Sequence, residues 1–204
     1  MVARCVKLSR KKRGASLVSI VWNCLFYAWF VGEIVIAIAT RTRQNSGKVR
    51  DRGSQLILWV VITTSVTACE VVRHLLAPNI FGNPLWLRPL SLFLIAVGLV
   101  IRTVAILTLG KSFSANVAIK DLQTVLRTGL YQFVRHPSYV GLLIIFLAIG
   151  LHSRNWLCLA LAFAPTSAAL LYRIHIEEAA LRDAFGDDYV AYSKTTKRLI
   201  PGIY

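Results

Sequence analysis

Charged residues are scarce in this sequence, and acidic residues are the scarcest. Only 16% of the 204 residues are charged, and 9 Asp and Glu stand against 24 Lys and Arg. Hydrophobic residues make up 56% of the chain, and its mean hydropathy is +0.59. Soluble domains contain roughly 45–50% apolar residues. The composition therefore argues against a soluble domain and predicts an integral membrane protein.

Several signatures of cofactor and metal sites are missing. No Gly-x-Gly occurs, which argues against a dinucleotide-binding Rossmann turn. Gly110-Lys-Ser112 resembles the end of a P-loop, but Ala105 stands where that loop needs its first glycine. The four cysteines form no Cys-x-x-Cys pair, and there is no His-Glu-x-x-His. The sequence therefore predicts neither a metal site nor a disulfide framework.

The net charge of +15 is high for a chain with so few charged residues. In a soluble protein this charge would suggest a nucleic-acid partner. Here the basic residues lie mostly in tails and in loops between apolar runs. Contact with anionic lipid headgroups and control of membrane topology explain that placement better, so we expect membrane lipids and no nucleic acid as partners.

Five apolar runs predict about five transmembrane helices in one all-α domain covering residues 1–204. Residues 1–109 contain three spans, and residues 110–204 form the second half. The runs are Ala15–Thr40, Ser54–Leu76, about Leu85–Leu109, Tyr139–Leu151 and Trp156–Tyr172. The last two are so close in sequence that they predict a tight helical hairpin. An amphipathic helical tail follows, in which Gly186-Asp187 predicts the end of one helix and the start of another.

The basic residues of the loops also predict the orientation. If the N-terminus lies outside, the loop Arg41–Gly53, the stretch Gly110–Arg135 and the tail all face the cytosol. The basic segment Arg4–Arg13 favours the opposite orientation, and with the apolar run behind it this segment resembles a signal peptide. That run is longer than a signal sequence requires, which favours a retained span. We follow the loops because several of them agree.

The densest polar cluster, Arg135-His-Pro-Ser-Tyr-Val-Gly141, lies at the start of the fourth run. Titratable residues at the mouth of an apolar segment are costly there, so they usually have a function. Pro137 suits the first turn of a helix, which would bring His136 and Tyr139 together. Gly141 would permit close approach by a ligand or another helix. The alternative is a simple helix start with interfacial Arg and Tyr anchors.

A second polar cluster, Arg173-Ile-His-Ile-Glu-Glu178, ends the fifth run. Arg173 and Glu177 have i, i+4 spacing, so an alternative is a surface ion pair. We predict instead that this cluster meets the first one in space and forms one site with it.

Four further polar residues lie within or beside the apolar runs: Glu70, Arg73, His74 and Arg102. The first three share one helix face and can pair. For all four, hydrogen bonding within the bundle is the favoured interpretation, and the sequence assigns them no further function.

These motifs carry a family resemblance. The resemblance rests on Gly129-x-Tyr131, Arg135-His-Pro-Ser-Tyr-Val-Gly141, Glu177-Glu178, Leu181, Phe185-Gly186, Tyr189, Tyr192 and Pro201. In order and spacing they resemble the isoprenylcysteine carboxyl methyltransferase family, and related membrane phospholipid methyltransferases share much of the pattern. The resemblance covers roughly residues 109–204.

The resemblance implies a membrane enzyme that uses S-adenosylmethionine. The cofactor would lie between the last two membrane helices and the tail. Its binding residues would be Val125, Leu126, Tyr131, Arg135, His136, Tyr139, Leu143, Glu177 and Glu178. Arg173 would hold the acceptor carboxylate, and Glu177 would face the sulfonium. The acceptor would be the α-carboxylate of an isoprenylated cysteine that enters from the bilayer, and the site would face the cytosol.

Other functions remain open at this point. Membrane sterol reductases that use NADPH resemble the chain around the Arg-His-Pro-x-Tyr-x-Gly motif, although Glu177-Glu178 and the small number of spans count against them. Methylation of a lipid headgroup amine is a second alternative. A membrane scaffold or transporter subunit without a cofactor is a third.

Overall fold

The computed structural model describes residues 2–39, 48–49, 53–75, 84, 86–110, 118–119 and 125–204. In these ranges the chain forms five α-helices: α1 Val2–Ala39, α2 Ser54–Leu75, α3 Leu87–Leu109, α4 Pro137–His152 and α5 Trp156–Thr195. Four of them are long and apolar enough to cross a membrane, and α4 is a shorter apolar helix. The predicted all-α membrane architecture is confirmed.

Within the described residues, extended structure is confined to short segments outside the helices. Strand β1, Lys48–Val49, pairs antiparallel with β2, Ala118–Ile119, and so joins the connection after α1 to the connection after α3. Most of the predicted loop Arg41–Gly53 and part of the predicted stretch Gly110–Arg135 lie outside the described residues. The side of the membrane that these segments face stays a prediction.

Helices α3 and α4 pack with their backbones in close contact. A Cβ placed on Gly98 of α3 would lie 2.8 Å from the carbonyl oxygen of Gly141 in α4, and a Cβ on Gly141 would lie 2.7 Å from the carbonyl oxygen of Gly98. Small residues permit this approach between membrane helices. The close approach predicted at Gly141 is therefore made by a helix.

Helix α5 is too long to serve only as a membrane span. Its 40 residues extend for about 60 Å, roughly twice the thickness of the hydrocarbon core. The helix leaves its apolar part after Tyr172 and continues through the second polar cluster. Gly186 interrupts it with a φ of 52°, which confirms the predicted break there.

The predicted hairpin of α4 and α5 is also confirmed. The two helices are joined by Ser153, Arg154 and Asn155, and the Asn155 side chain caps α5 by accepting a hydrogen bond from the Leu157 backbone N–H at 2.8 Å. This antiparallel arrangement returns the chain to the starting end of α4. It thereby brings the second polar cluster back toward the first.

The core lies where the helices of the bundle converge. Its fully buried apolar residues include Ile95, Ile145, Phe146 and Leu170. Helix α1 joins this core through Trp29, whose ring meets that of Phe146 edge to face with the centroids 5.4 Å apart. The outward face of α1 carries exposed apolar side chains, as expected of a helix that faces lipid.

The polar residues of the apolar runs pair, but hydrogen bonding within the bundle is wrong for Glu70, Arg73 and His74, because their side chains are about half or more exposed. Arg73 pairs with Glu70 on an exposed face near the end of α2, and the His74 ring lies 3.9 Å from the same carboxylate. Arg102 of α3 is buried, and its guanidinium binds the carboxylate of Glu33 from α1. Interhelical hydrogen bonding, the favoured interpretation of Arg102, is confirmed.

Candidate functional site

The two polar clusters meet where α4 begins. The Arg135 Nε donates a hydrogen bond to the Glu178 Oε1 at 2.9 Å, and the His136 Nε2 lies 3.4 Å from the same oxygen. Arg135 and His136 directly precede α4, whereas Glu178 belongs to α5. The prediction that the two clusters meet in space is confirmed by these contacts, and their forming one functional site stays a prediction.

Glu178 is the most enclosed carboxylate of the site. It is 2% exposed, and its Oε2 accepts a hydrogen bond from the Arg198 Nε at 3.1 Å. The Arg182 guanidinium lies 3.5 Å from the same oxygen. The hydrogen bond to Glu178 raises the pKa of Arg198 above its ordinary value. Because Arg135 and His136 occupy Oε1, Glu178 already has basic partners on both oxygens, as a structural ion-pair centre would.

Arg135 connects the start of α4 to the end of α5. Besides Glu178, its guanidinium donates to the carbonyl oxygens of Ser193 at 2.7 Å and Thr196 at 2.6 Å. Its backbone N–H donates to the Lys197 carbonyl at 2.8 Å. A cation that binds the last carbonyls of a helix stabilises that helix end. These contacts give Arg135 a structural role. They do not test the cofactor-binding role predicted for it, which stays a prediction.

The Tyr139 hydroxyl joins Arg173 to Glu177. It donates a hydrogen bond to the Glu177 Oε2 at 2.7 Å and accepts one from the Arg173 Nε at 2.9 Å. Arg173 is 4% exposed and also donates to the Ser54 Oγ of α2 at 3.2 Å. A surface ion pair is therefore the wrong interpretation of this spacing. The Tyr139 hydroxyl of α4 is therefore hydrogen-bonded to both the guanidinium of Arg173 and the carboxylate of Glu177, which lie on α5.

Glu177 differs from its neighbour Glu178 in its surroundings. Its side chain is 29% exposed, and the His136 Nδ1 lies 3.9 Å from the same oxygen that accepts the Tyr139 bond. The rings of His136 and Tyr139 stack with their centroids 5.5 Å apart and their planes 12° apart. A partly accessible carboxylate thus borders a stacked aromatic pair. A ligand with a cationic centre would find both favourable partners here.

One buried hydroxyl at the site was missed by the sequence analysis as a functional group. Tyr189 is 2% exposed, and its hydroxyl finds no hydrogen-bond partner among the residues described by the structure. Burial, followed by the charge of Glu178, raises the pKa of Tyr189 above its ordinary value. Buried phenols usually find a partner, and none of the described residues supplies one here. The only signal in the sequence was its place in the pattern Phe185-Gly-x-x-Tyr189.

Tyr131 connects the segment before α4 to α3 and α5. It belongs to a 3₁₀ turn, Gly129–Gln132, which Gly129 starts with a φ of 61°. The Tyr131 hydroxyl donates to the Ala105 carbonyl of α3 at 3.3 Å, and the Tyr131 carbonyl accepts a bond from the Tyr192 hydroxyl at 2.5 Å. Burial, followed by the charge of Glu177, raises the pKa of Tyr131. Its predicted contact with a cofactor is untested.

The predicted adenine slot is spread over two parts of the fold. Val125 and Leu126 are half-buried in the segment before the 3₁₀ turn. Leu143 is half-buried in α4 and packs against the hydrophobic core. Their role as adenine neighbours stays a prediction. Within the described ranges, no group of three or more His, Cys, Asp or Glu could hold a metal ion.

Comparison with known proteins shows that part of this chain is similar to one family. Residues 90–183 match the model of the isoprenylcysteine carboxyl methyltransferase family. The match includes α4, the first polar cluster and both glutamates of the second cluster.

Curated proteins named as protein-S-isoprenylcysteine O-methyltransferases are also similar in sequence to this chain. The protein-S-isoprenylcysteine O-methyltransferase of Tribolium castaneum is 37% identical over 123 residues, which are 58% of this chain and 43% of that protein. Protein-S-isoprenylcysteine O-methyltransferase B of Arabidopsis thaliana is 33% identical over 122 residues, which are 57% of this chain and 60% of that protein. The chain thus spans about half the length of the curated relatives it matches.

A solved structure shares the fold. It is that of a eukaryotic intramembrane Ras methyltransferase, an isoprenylcysteine carboxyl methyltransferase. Its TM-score is 0.52 at 28% sequence identity, and the match covers 74% of this chain and 51% of the other. Part of the N-terminal half of this chain therefore lies within the structural match as well.

Proposed function

We propose that this protein transfers a methyl group from S-adenosylmethionine to the α-carboxylate of an isoprenylated cysteine, or of a similar lipophilic acceptor, at the membrane. The observation that carries the proposal is the Tyr139 hydroxyl, which holds the cation of Arg173 and the carboxylate of Glu177 on one atom. One charge suits an anionic acceptor and the other suits a cationic donor. The names and sequences of the relatives support the same reaction class.

The residues around Glu177 fit S-adenosylmethionine by their chemistry. A sulfonium cation is stabilised by a carboxylate and by aromatic faces, and Glu177 with the stacked His136 and Tyr139 rings provides both. The hydroxyl of Tyr189, which has no hydrogen-bond partner among the described residues, would add a hydrogen-bonding group for a polar part of the same molecule. When bound, S-adenosylmethionine supplies a methyl group attached to a positively charged sulfur. An oxygen of the acceptor carboxylate can take this methyl group, which leaves the sulfur as the neutral thioether of S-adenosylhomocysteine.

Arg173 suits the acceptor. A carboxylate is ionised at neutral pH and needs no general base, so the protein has only to orient it and exclude water. A guanidinium offers a carboxylate two parallel N–H donors, and Arg173 is fixed by Tyr139 and Ser54. Its burial at 4% exposure keeps water away from the ion pair it would form.

The position of Arg173 also suits a lipophilic acceptor. It follows Tyr172 directly, at the point where the apolar part of α5 ends. An isoprenoid chain can therefore lie along the membrane-embedded part of the bundle while its carboxylate reaches Arg173. We further propose that this end of the bundle faces the cytosol, because the loops predicted on that side carry many basic residues.

A transfer assay with a matched set of acceptors tests the proposal. The purified protein, in lipid nanodiscs, is given S-adenosylmethionine labelled in the methyl group together with S-farnesylcysteine or S-geranylgeranylcysteine. We expect label on the free carboxylate and none on the methyl ester of the same compound. Label on phosphatidylethanolamine alone would establish headgroup methylation instead.

Thermal melting separates the cofactor classes. We expect S-adenosylhomocysteine to raise the melting temperature of the protein, because a ligand that binds only the folded state stabilises it. NADPH at the same concentration should leave the melting temperature unchanged. Stabilisation by NADPH without any effect of S-adenosylhomocysteine would refute the proposed cofactor.

A further inference from the structure

The ion pair between Glu33 and Arg102 has so far been assigned no function. Both residues are buried, at 9% and 8% exposure, and the Arg102 Nη2 donates to the Glu33 Oε2 at 2.5 Å. A buried ion pair contributes little net stability, because desolvation of the two charges offsets their attraction. Charges within a membrane protein are expensive, and those present are usually functional. Stability alone is therefore a weak reason for this pair.

Arg102 has a second partner, and that partner belongs to the candidate site. Its Nη1 donates to the Ser138 Oγ at 2.6 Å and to the Ser138 carbonyl oxygen at 3.3 Å. Ser138 lies in the first turn of α4, directly before Tyr139. The side chain of Arg102 therefore connects α1 and α3 to the part of α4 that carries the Tyr139 hydroxyl.

The backbone around this contact leaves little freedom. A Cβ placed on Gly141 would lie 2.8 Å from the Arg102 backbone nitrogen and 2.9 Å from the Arg102 Cβ. Helices α3 and α4 therefore touch along the same turn in which Arg102 binds Ser138. A rotation or shift of this turn would move the Tyr139 hydroxyl relative to its two partners on α5.

We infer that Glu33, Arg102 and Ser138 form a positioning network that holds Tyr139 in register with Arg173 and Glu177. Glu33 orients the Arg102 guanidinium, Arg102 fixes the first turn of α4 through Ser138, and that turn sets the Tyr139 hydroxyl. The inference rests on the proposed function of the site. It extends the functional unit to α1, which precedes residues 90–183, the region matched by the family model.

The chain offers a matched control at the other end of the same helix pair. Ser91 of α3 is fully buried, and its Oγ lies 3.1 Å from the Nδ1 of His152 in the last turn of α4. Ser91→Ala and Ser138→Ala each remove one buried serine hydroxyl that links α3 to α4. Only Ser138 lies beside Tyr139, so the two variants separate loss of packing from loss of positioning.

The kinetic test compares these variants in methyl transfer to S-farnesylcysteine. We expect Ser138→Ala and Glu33→Gln to lower kcat on the order of tenfold, because small misplacements of reacting groups reduce the rate steeply. Affinity for S-adenosylhomocysteine and the melting temperature of Ser138→Ala should match those of Ser91→Ala. In a Tyr139→Phe background, Ser138→Ala should have little further effect, since both changes act through the same hydroxyl. Full additivity in that background would overturn the inference.

A second measurement does not depend on the reaction. A 3-fluorotyrosine placed at Tyr139 reports the surroundings of this ring through its ¹⁹F resonance. We expect Ser138→Ala and Glu33→Gln to change the ¹⁹F chemical shift. Ser91→Ala should leave it unchanged. An unchanged resonance in both test variants, or an equal shift in all three, would overturn the positioning role. If the wild-type protein methylated no acceptor, the proposed function would fail while this result still decided the network.

Discussion

The two consecutive glutamates of α5 should fail in different ways when their charges are removed. Glu178 is 2% exposed and is surrounded by Arg135, His136 and Arg198, whereas the Glu177 side chain is 29% exposed. Glu178→Gln and Glu177→Gln remove the same charge from adjacent positions with almost no change in volume. We expect the first to reduce stability and the second to reduce binding of the methyl donor.

The size of the stability effect follows from the partners that remain. Glu178→Gln leaves Arg135, with a side chain that is 9% exposed, without its counterion. Removing one partner of a buried ion pair costs about 3–5 kcal/mol. At about 2–4 °C per kcal/mol for a chain of this size, the melting temperature should fall by roughly 6–20 °C. Arg182→Ala is the control, because its side chain is 51% exposed and its contact should contribute less than about 1 kcal/mol.

The effect of Glu177→Gln on ligand affinity should depend on the charge of the ligand's sulfur atom. S-adenosylmethionine carries a positive sulfur, whereas the sulfur of S-adenosylhomocysteine is neutral. Glu177→Gln should therefore weaken binding of S-adenosylmethionine by about 1–3 kcal/mol, the scale of losing one buried polar contact. Binding of S-adenosylhomocysteine should change less. Calorimetry with both ligands and thermal melting without ligand provide the data.

The opposite pattern would refute this division of roles. If Glu178→Gln melted like the wild-type protein, its contacts would not form a structural ion-pair centre. If Glu177→Gln weakened both ligands equally, Glu177 would not face the sulfur. Loss of both stability and affinity in each variant would mean that the two carboxylates act as one unit.

Substitutions at three further positions test the site and its scaffold. Arg173→Ala should slow methyl transfer on the order of 100-fold while S-adenosylhomocysteine binding stays intact. Arg173→Lys should restore the rate only in part, because an ammonium lacks the guanidinium fork. A loss of S-adenosylhomocysteine affinity in Arg173→Ala equal to its loss of rate would contradict an acceptor role. Gly98→Ala should lower stability by about 1–3 kcal/mol in a melting assay, because its Cβ would lie 2.7 Å from the Ile145 Cγ1 and 2.8 Å from the Gly141 carbonyl oxygen. A Cβ on Gly186 meets no atom within 4 Å, so only the strain of its backbone, with φ 52° and ψ −129°, should count in Gly186→Ala, at about 1–3 kcal/mol. A neutral result would show that the break in α5 needs no glycine.

Local chemistry was enough to predict the course of the chain. Apolar runs of sufficient length predicted the spans, because a helix in lipid satisfies its own backbone hydrogen bonds. The short separation of the last two runs predicted the hairpin of α4 and α5. Gly186 predicted the break in α5, because a positive φ is a property of one residue and its neighbours. The polar motifs identified the two clusters that meet.

The tertiary structure alone decided which polar groups pair. Arg102 was predicted to bond between helices, but its partner Glu33 lies 69 residues away on α1. Glu177 and Glu178 are neighbours in sequence, yet one lies against the Tyr139 hydroxyl and the other among buried bases. Such choices depend on the rotation and register of packed helices. Hydrophobic periodicity identifies the buried face of a helix, but the contacts of several helices together select the atom that each buried group meets.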